Sequence, residues 1–581
     1  MTDTLNPTWN DSILILFTKP YWVKDPSEVA QQWQGCMSGY FIDLTDYESV
    51  KQWQVTIYNH LRSKSMPLTD DPSQYWPDDA LELFRTWVNQ GSRQTDQDPI
   101  LNLHIIDSPQ NPSVNLRIRK NIAFMSSEEL NQYRAAIEDY DATSLDIENS
   151  LWQKMADIHT NWCLHYQEAF LLWHRAYMMY FEEKIGMAVP YWNWMSPNAT
   201  KDGDPEAGLP QAFIDETYEH PITKEIRPNP LRYAIARNAK SKACINDVTL
   251  PDGQCRYVQR DPILYTKGKD SQKERQAKLN LLGKFQQQVS QALQWDVFST
   301  PQGSPGYPWA NIPSFEPPPP DSDYPHKCDF DGRYEQPHDN FHGWIGFDMA
   351  DNTYTAYDPI FWSLHSNIDR IYEVWLRQNP QAQYTATFPI RPFIGSDAKS
   401  VRFDDDRLFV YTTIGDMAKD SRSLGYDFEP PKFPDSKGTD YEPWEDYLYI
   451  IFDGIRCTHD TYFIDAFINL ENPTPEDKHN ENAIHYVGRL SRIGMGIEDD
   501  KNRCIKHGVT RILDASYNAF YGKLTAPNSV SVSLLVSDSK HNIVPKSEYE
   551  TLPGFNAFSV WTKGPEKKKE EKPSDGCNHC K

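Results

Sequence analysis

The chain has no long apolar run. Nothing along its 581 residues approaches the roughly 20 consecutive apolar residues that a membrane-spanning helix needs. The run Ile13–Phe17 near the start is too short for a secretory signal, and no basic residue precedes it. Positive charge is also scarce: 58 Lys and Arg face 82 Asp and Glu, a net charge of −24. A polyanion is repelled on average, so neither nucleic acid nor an acidic membrane is an expected partner. The one lysine cluster, "KGPEKKKEEK" from position 563, is largely offset by glutamates and reads as a solvated tail. Cysteines are few and scattered, nine in all. In the reducing, cytoplasmic setting these absences point to, they read mostly as free thiols and not as a disulfide frame. No internal repeat is found, which removes solenoids and arrays.

What the chain does have is aromatic bulk. Phe, Trp and Tyr make up 13%, enough large rings to build a core and to argue against wholesale disorder. The length exceeds one ordinary core, so two or three domains are expected. Residues 1–145 read as a mixed N-terminal extension, with "SILILF" as a short strand and "YESVKQWQVTIYNHLRSK" and "DDALELFRTWVNQGS" as helices. Residues 146–430 read as a helical domain. Helical periodicity runs unbroken from Leu151 through Glu183, and "ERQAKLNLLGKFQQQVSQALQWDVF" is another long helix. A proline-rich crossing follows, and helix returns in "QPHDNFHGWIG" and "DPIFWSLHSNIDRIYEVWLRQ". In residues 431–562 the runs "DYLYIIFDGI", "TYFIDAFINL", "SVSVSLLVSD" and "AFSVWT" predict a β-sandwich. Residues 563–581 read as a disordered tail ending in "CNHCK". The expected fold class is a mainly α core with a C-terminal β-sandwich.

The chemistry-bearing signal is histidine. His338 and His342 are four apart, so on a helix both imidazoles leave one face and reach one ion. His365 follows in an amphipathic helix whose start is marked by Asp358 and Pro359, with Asp369 as its i+4 neighbour. Upstream, "WCLHYQEAFLLWHRAYMMYFEE" carries His165 and His174, and His159 lies just before it. Any one of these reads as an ordinary core histidine. Two trios in two short windows read as two metal sites. Imidazoles with few carboxylates nearby suit copper or zinc better than magnesium or calcium. Three ligands per ion leave an open position, which suits catalysis. His60 and His104 are isolated and carry no such signal.

These stretches resemble a family. "HYQEAFLLWHRAYMMYFE" and "DPIFWSLHSNID" are similar to the two copper-site signatures of the tyrosinase, catechol oxidase and hemocyanin superfamily, and "PYWNW" and "HDNFH" fit the same pattern. The likeness covers about residues 150–380. The region after 430 is similar, more weakly, to the C-terminal sandwich of molluscan hemocyanins and fungal tyrosinases, and residues 1–145 are not explained by it. The resemblance implies a four-helix bundle holding two copper ions, one on His159, His165 and His174 and the other on His338, His342 and His365. It implies that Arg175 and Glu182 orient and pack the bundle. It implies a thioether between Cys163 and His165, which argues for copper over zinc, and a metal-loading role for Cys577 and Cys580 as the alternative to an inert tail. The implied activity is dioxygen-dependent oxidation of a small aromatic substrate to an o-quinone, with the sandwich covering the pocket in a latent form.

The chain also departs from the family's pattern. His159 precedes His165 by only six residues, with His104 as a remote substitute. Leu364 stands where many members have a second histidine beside His365, which touches tuning and not ligation. Asp339 stands where several phenol-hydroxylating members have asparagine. It reads as a catalytic proton acceptor near the second metal or as a hydrogen-bonding residue of its helix, and it tilts the expectation towards o-diphenols or o-aminophenols over monophenols. Gly343 reads as leaving room for a bulky substrate. A second reading is a zinc-using, non-redox lyase similar to the cyclopenases of fungal quinolone alkaloid pathways, converting a cyclopenin-type substrate to a viridicatin-type product. A third, an oxygen carrier without turnover, is disfavoured by the single copy of the site.

Overall fold

The computed structural model describes residues 6–100, 116–236, 257–293, 334–379, 390–393, 411–436, 446–494 and 509–563, less short stretches within them. The segment holding His104, the proline-rich crossing, and the tail with Cys577, His579 and Cys580 lie outside the described residues.

In the first of these regions every described regular element is a helix. "SILILF", read as a strand, is instead a π-turn (Trp9–Ile13) continued by a short α-helix (Leu14–Thr18). The Thr8 hydroxyl caps it by accepting from the Asp11 N–H. Trp9, Ile13, Leu16 and Phe17 are buried, a spacing that fits one helical face. A β-prone run without a partner strand takes the helix when its apolar residues also fit helical spacing. With α1 (Pro26–Ser38), α2 (Tyr47–Arg62) and α3 (Asp78–Asn89) it closes a core that includes Trp33, Trp76, Phe84 and Trp87.

A second core starts before residue 145. Strand β1 (Arg117–Arg119) precedes α4 (Ser127–Asp139), which opens on a capping box between Ser126 and Glu129. Ile122, Tyr133 and Ile137 pack into the main helical core, so the first 145 residues are shared between two cores. The site is built on α5 (Leu151–Trp162), α6 (Ala169–Ile185), α8 (Glu335–Ile345) and α9 (Pro359–Gln378), while α7 (Gln272–Ala292) packs on α8. The periodicity from 151 to 183 conceals a break. Cys163 has extended backbone (φ −60°, ψ 144°), which ends α5 and puts His165 between helices. Trp362 of α9 stacks on Phe181 of α6 at 3.8 Å and lies 6.3 Å from Trp152 of α5. The start of α9 is fixed by the Asp358 carboxylate, which accepts from the Ile360 N–H, and by Pro359 at the first helical position.

A buried ionic network ties these helices. Arg119 donates to Glu182 and Asp369, each at 2.7 Å, and Arg175 donates to Asp369 at 2.6 Å and Glu373 at 3.0 Å. Asp369 thus serves the two arginines. Removing one partner of such a buried pair costs about 3–5 kcal/mol. Strand β2 (Tyr426–Phe428) pairs in parallel with β1 over the network.

The third core is the sandwich. Its strands are β3 (Asp446–Ile455), β4 (Tyr462–Ile468), β5 (Tyr486–Arg492), β6 (Val509–Asp514), β7 (Val532–Asp538) and β8 (Phe558–Lys563). They form two antiparallel sheets, β8-β3-β6 and β5-β4-β7. Leu448 and Ile450 of one sheet meet Ile464, Ala466 and Val536 of the other. The opposite face of β4, with Phe463, Asp465 and Phe467, is buried as well, because β5-β4-β7 lies against α7 and α8. Among the described residues no helix is long and apolar enough to cross a membrane.

Candidate metal centre

His159 lies in the last turn of α5, His165 in the connection and His174 on α6. His338 and His342 rise from α8, and His365 from α9. The fold gathers them into two trios, His159–His165–His174 and His338–His342–His365, with one ligand atom of each residue within 4.8 Å of the others. His159 Nε2 stands 3.3 Å from His174 Nε2, and His365 Nε2 stands 3.3 Å from both His338 Nε2 and His342 Nε2. Two nitrogens bound at about 2.0–2.1 Å to one tetrahedral ion are about 3.3–3.4 Å apart. The donors are therefore spaced to chelate. The trios face each other: the His174 and His365 rings stack at 4.5 Å and 11°. Phe361 borders both trios, 4.9 Å from His159 and 4.3 Å from His365.

The nitrogen turned away from the trio is engaged in five of the six. His159 Nδ1 meets the Asn352 carbonyl (3.3 Å), His174 Nδ1 the Phe170 carbonyl (2.8 Å) and His342 Nδ1 the Met349 carbonyl (2.9 Å). His165 Nδ1 meets Glu335, and His338 Nδ1 meets Asp339, each at 3.1 Å. Carbonyl and carboxylate oxygens only accept, so these Nδ1 atoms donate and each Nε2 keeps its lone pair for a ligand role. Burial, reinforced by the neighbouring histidines, pushes all six imidazoles well below their ordinary range, His159 and His342 to about 3. At neutral pH the rings are unprotonated, the state a metal requires.

Several supporting residues carry no signal that the sequence reading used. Glu335, fully buried, is the partner of His165, and Asn352 and Thr355 lie in the α8–α9 connection. Thr355 Oγ1 stands 3.0 Å from His342 Nδ1. Glu335 was detectable in principle: with His338, Asp339 and His342 it makes an i, i+3, i+4, i+7 polar stripe on α8. Asp339 has both oxygens engaged, Oδ1 with His338 and Oδ2 with Arg511 Nη2 of β6 at 2.9 Å. It also lies with His165 and His338 in a third group of ligand atoms within 4.8 Å. The Cys163 thiol accepts from the Asn352 amide at 3.1 Å, and burial pushes it up to about 12. Leu364 is buried in the helical core.

Gly343 corrects an expectation. The space it leaves is taken by the sandwich and is not open to a substrate. A Cβ at this position would lie 2.5 Å from Phe463 Cε1 and 3.0 Å from Ser491 Oγ, so glycine is what allows β4 and β5 to approach α8.

Comparison with known proteins agrees with this geometry. Residues 149–378 match the family model described as the common central domain of tyrosinase. Hemocyanin G-type, units Oda to Odg, from Enteroctopus dofleini is 26% identical over 367 residues, covering 57% of this chain and 10% of that protein. (+)-Larreatricin hydroxylase, chloroplastic, from Larrea tridentata is 26% identical over 357 residues, covering 56% of this chain and 51% of that protein. The chain thus spans from a tenth to about half the length of these curated relatives. Apo-protyrosinase from Aspergillus oryzae superposes with a TM-score of 0.52 at 17% identity, over 79% of this chain and 94% of that one, a likeness of fold. Helical core, paired histidine trios and C-terminal sheets are the features this chain has in common with that structure, and the family match itself lies on residues 149–378. Residues 149–378 are thus similar to the central domain of tyrosinases, and the longer alignments extend that similarity to hemocyanins.

Proposed function

We propose that this chain is a binuclear copper oxidoreductase that oxidises o-diphenols, o-aminophenols or phenols with dioxygen, in pigment formation or secondary metabolism. Residues 146–430 act as its catalytic unit and residues 431–562 as its sandwich. The observation that carries the reading is the pair of facing, unprotonated histidine trios, buried except for the half-buried His165. His159, His165 and His174 would hold one copper and His338, His342 and His365 the other. The pair, when bound, supplies a two-electron path from the aromatic substrate to dioxygen. The chain's own part is to fix geometry and exclude water. Backbone carbonyls and two carboxylates lock the rings, and Phe361 and Phe170 wall the site with apolar surface. Asp339, with a carboxylate oxygen within 4.8 Å of ligand atoms of His165 and His338, is the candidate acceptor for the hydroxyl proton a substrate loses, and would take it by giving up one of its bonds to His338 and Arg511. The named activities of larreatricin hydroxylase and of apricot polyphenol oxidase support an oxidase. A Cys163–His165 thioether belongs to the same reading, and intact-mass analysis tests it: the linked chain is lighter by one pair of hydrogens.

The deciding measurement is metal content of the purified protein with its near-ultraviolet spectrum under dioxygen. Two coppers per chain with the strong absorption of a coupled, oxygenated dicopper centre are expected, and a catechol and aminophenol screen follows. Zinc without that band overturns the oxidase in favour of the non-redox, cyclopenase-like lyase, which would use the same six histidines.

A further inference from the structure

His338 and Asp339 are consecutive residues of α8, and consecutive helical side chains point about 100° apart. Yet Asp339 Oδ1 accepts from His338 Nδ1 at 3.1 Å. The other oxygen of the same carboxylate is held from outside the helix. The Nη2–H of Arg511 donates to Asp339 Oδ2 at 2.9 Å, with both side chains buried, at 2% and 1% exposure. Arg511 comes from β6, 172 residues further along the chain.

We propose that Arg511 is a positioning residue of the second metal site: delivered by the C-terminal sandwich, it clamps Asp339 so that the carboxylate fixes the His338 ring with Nε2 facing the ion. Two further contacts make the sandwich part of the centre. Gly343 lets Phe463 close onto α8 one residue beyond His342. The Gly494 carbonyl, just past β5, accepts from the Asn352 N–H at 2.8 Å, and Asn352 in turn contacts His159 and Cys163. The sandwich thus touches residues next to His342 and beside His159 as well as Asp339. The proposal rests on the binuclear metal reading above.

The test uses full-length protein loaded with cobalt(II), whose visible spectrum reports coordination geometry. Metal per chain is followed against a graded chelator for wild type, Arg511→Met, Arg511→Lys, Asp339→Asn and the double variant Arg511→Met/Asp339→Asn. Arg511→Met is expected to bind one of the two ions about 10- to 100-fold more weakly, leaving a spectrum that matches His342→Ala. Arg511→Lys should recover part of the loss, and the double variant should be no weaker than Arg511→Met, because both act along one path. Retention of both ions with the wild-type spectrum overturns the proposal even if the melting temperature falls, and so does equal weakening of both ions. Should Arg511→Met fail to fold, Asp339→Asn decides in its place: the same single loss supports the clamp, and an unchanged spectrum overturns it. Wild type that holds no cobalt sinks the metal reading and the clamp with it, whereas two ions in wild type and in both variants sink the clamp alone.

Discussion

His338 and His342 leave a single face of α8 and meet His365 from α9, whereas His159, His165 and His174 come from the end of one helix, the turn after it and the helix beyond. The second trio takes the spacing of His338 and His342 from the geometry of one helix, and its His338 ring rests on Asp339 and, through it, on Arg511. The first trio depends on a backbone turn at Cys163 and is steadied by the carbonyls of Phe170 and Asn352 and by Glu335. Each trio thus has one ring held by a carboxylate, His165 by Glu335 and His338 by Asp339, and the second of these carboxylates is in turn held by Arg511.

The largest expected effect separates the halves outright. His342→Ala or His365→Ala should empty the second site while leaving the first filled, with far-ultraviolet circular dichroism unchanged and turnover reduced about a thousandfold or more. Normal turnover in either variant would sink the assignment of that trio.

Acid should weaken the two halves together. His159 and His342, one from each trio, titrate near 3 in the fold against about 6.5 when exposed. Between those values the unfolded chain binds more protons than the folded one. The metal-free protein therefore loses stability as pH falls from about 6.5 towards 3, by at most about 1.4 kcal/mol per pH unit for each histidine, and these groups add no pH dependence above that window. Urea unfolding of the metal-free chain across this range checks it, and a flat profile would contradict buried neutral rings.

Glu335→Gln sharpens the comparison from the other side. It should weaken the first ion about 10- to 100-fold and spare the second, as read by chelator titration; equal weakening of both would show that α8 moves as one piece. The smallest effect is Gly343→Ala, which forces Phe463 and β4 outward at about 1–3 kcal/mol, visible as a melting shift of a few degrees. A shift indistinguishable from zero would mean that the sandwich does not press on α8 at this point.

The same contrast explains what could be read in advance. His338, His342, His365, Asp358 and Pro359 are local patterns: ring spacing on one helical face, and a cap before a proline. The alternating and apolar runs of the sandwich strands are local too. His165 is different. Apolar periodicity runs straight across Cys163, so nothing in the pattern marks the turn that swings the ring inward. Glu335 lay on a readable stripe, but a glutamate opening a helix is equally well placed for the helix dipole. Arg511 has no local signature, since its partner lies 172 residues away. "SILILF" misled because β-prone residues also satisfied helical spacing, and packing against Trp9 and Phe84 decided between them.

The parallel stack of His174 on His365 joins the trios ring to ring. An ion arriving at either site immobilises one imidazole of the stack and so restricts the ring that the other site still has to recruit. Entropy lost in the first capture is spared in the second. Loading is then mildly coupled: the second ion should bind somewhat more tightly than the first in a metal titration, by less than the loss of a ligand or of a ring's partner costs either site.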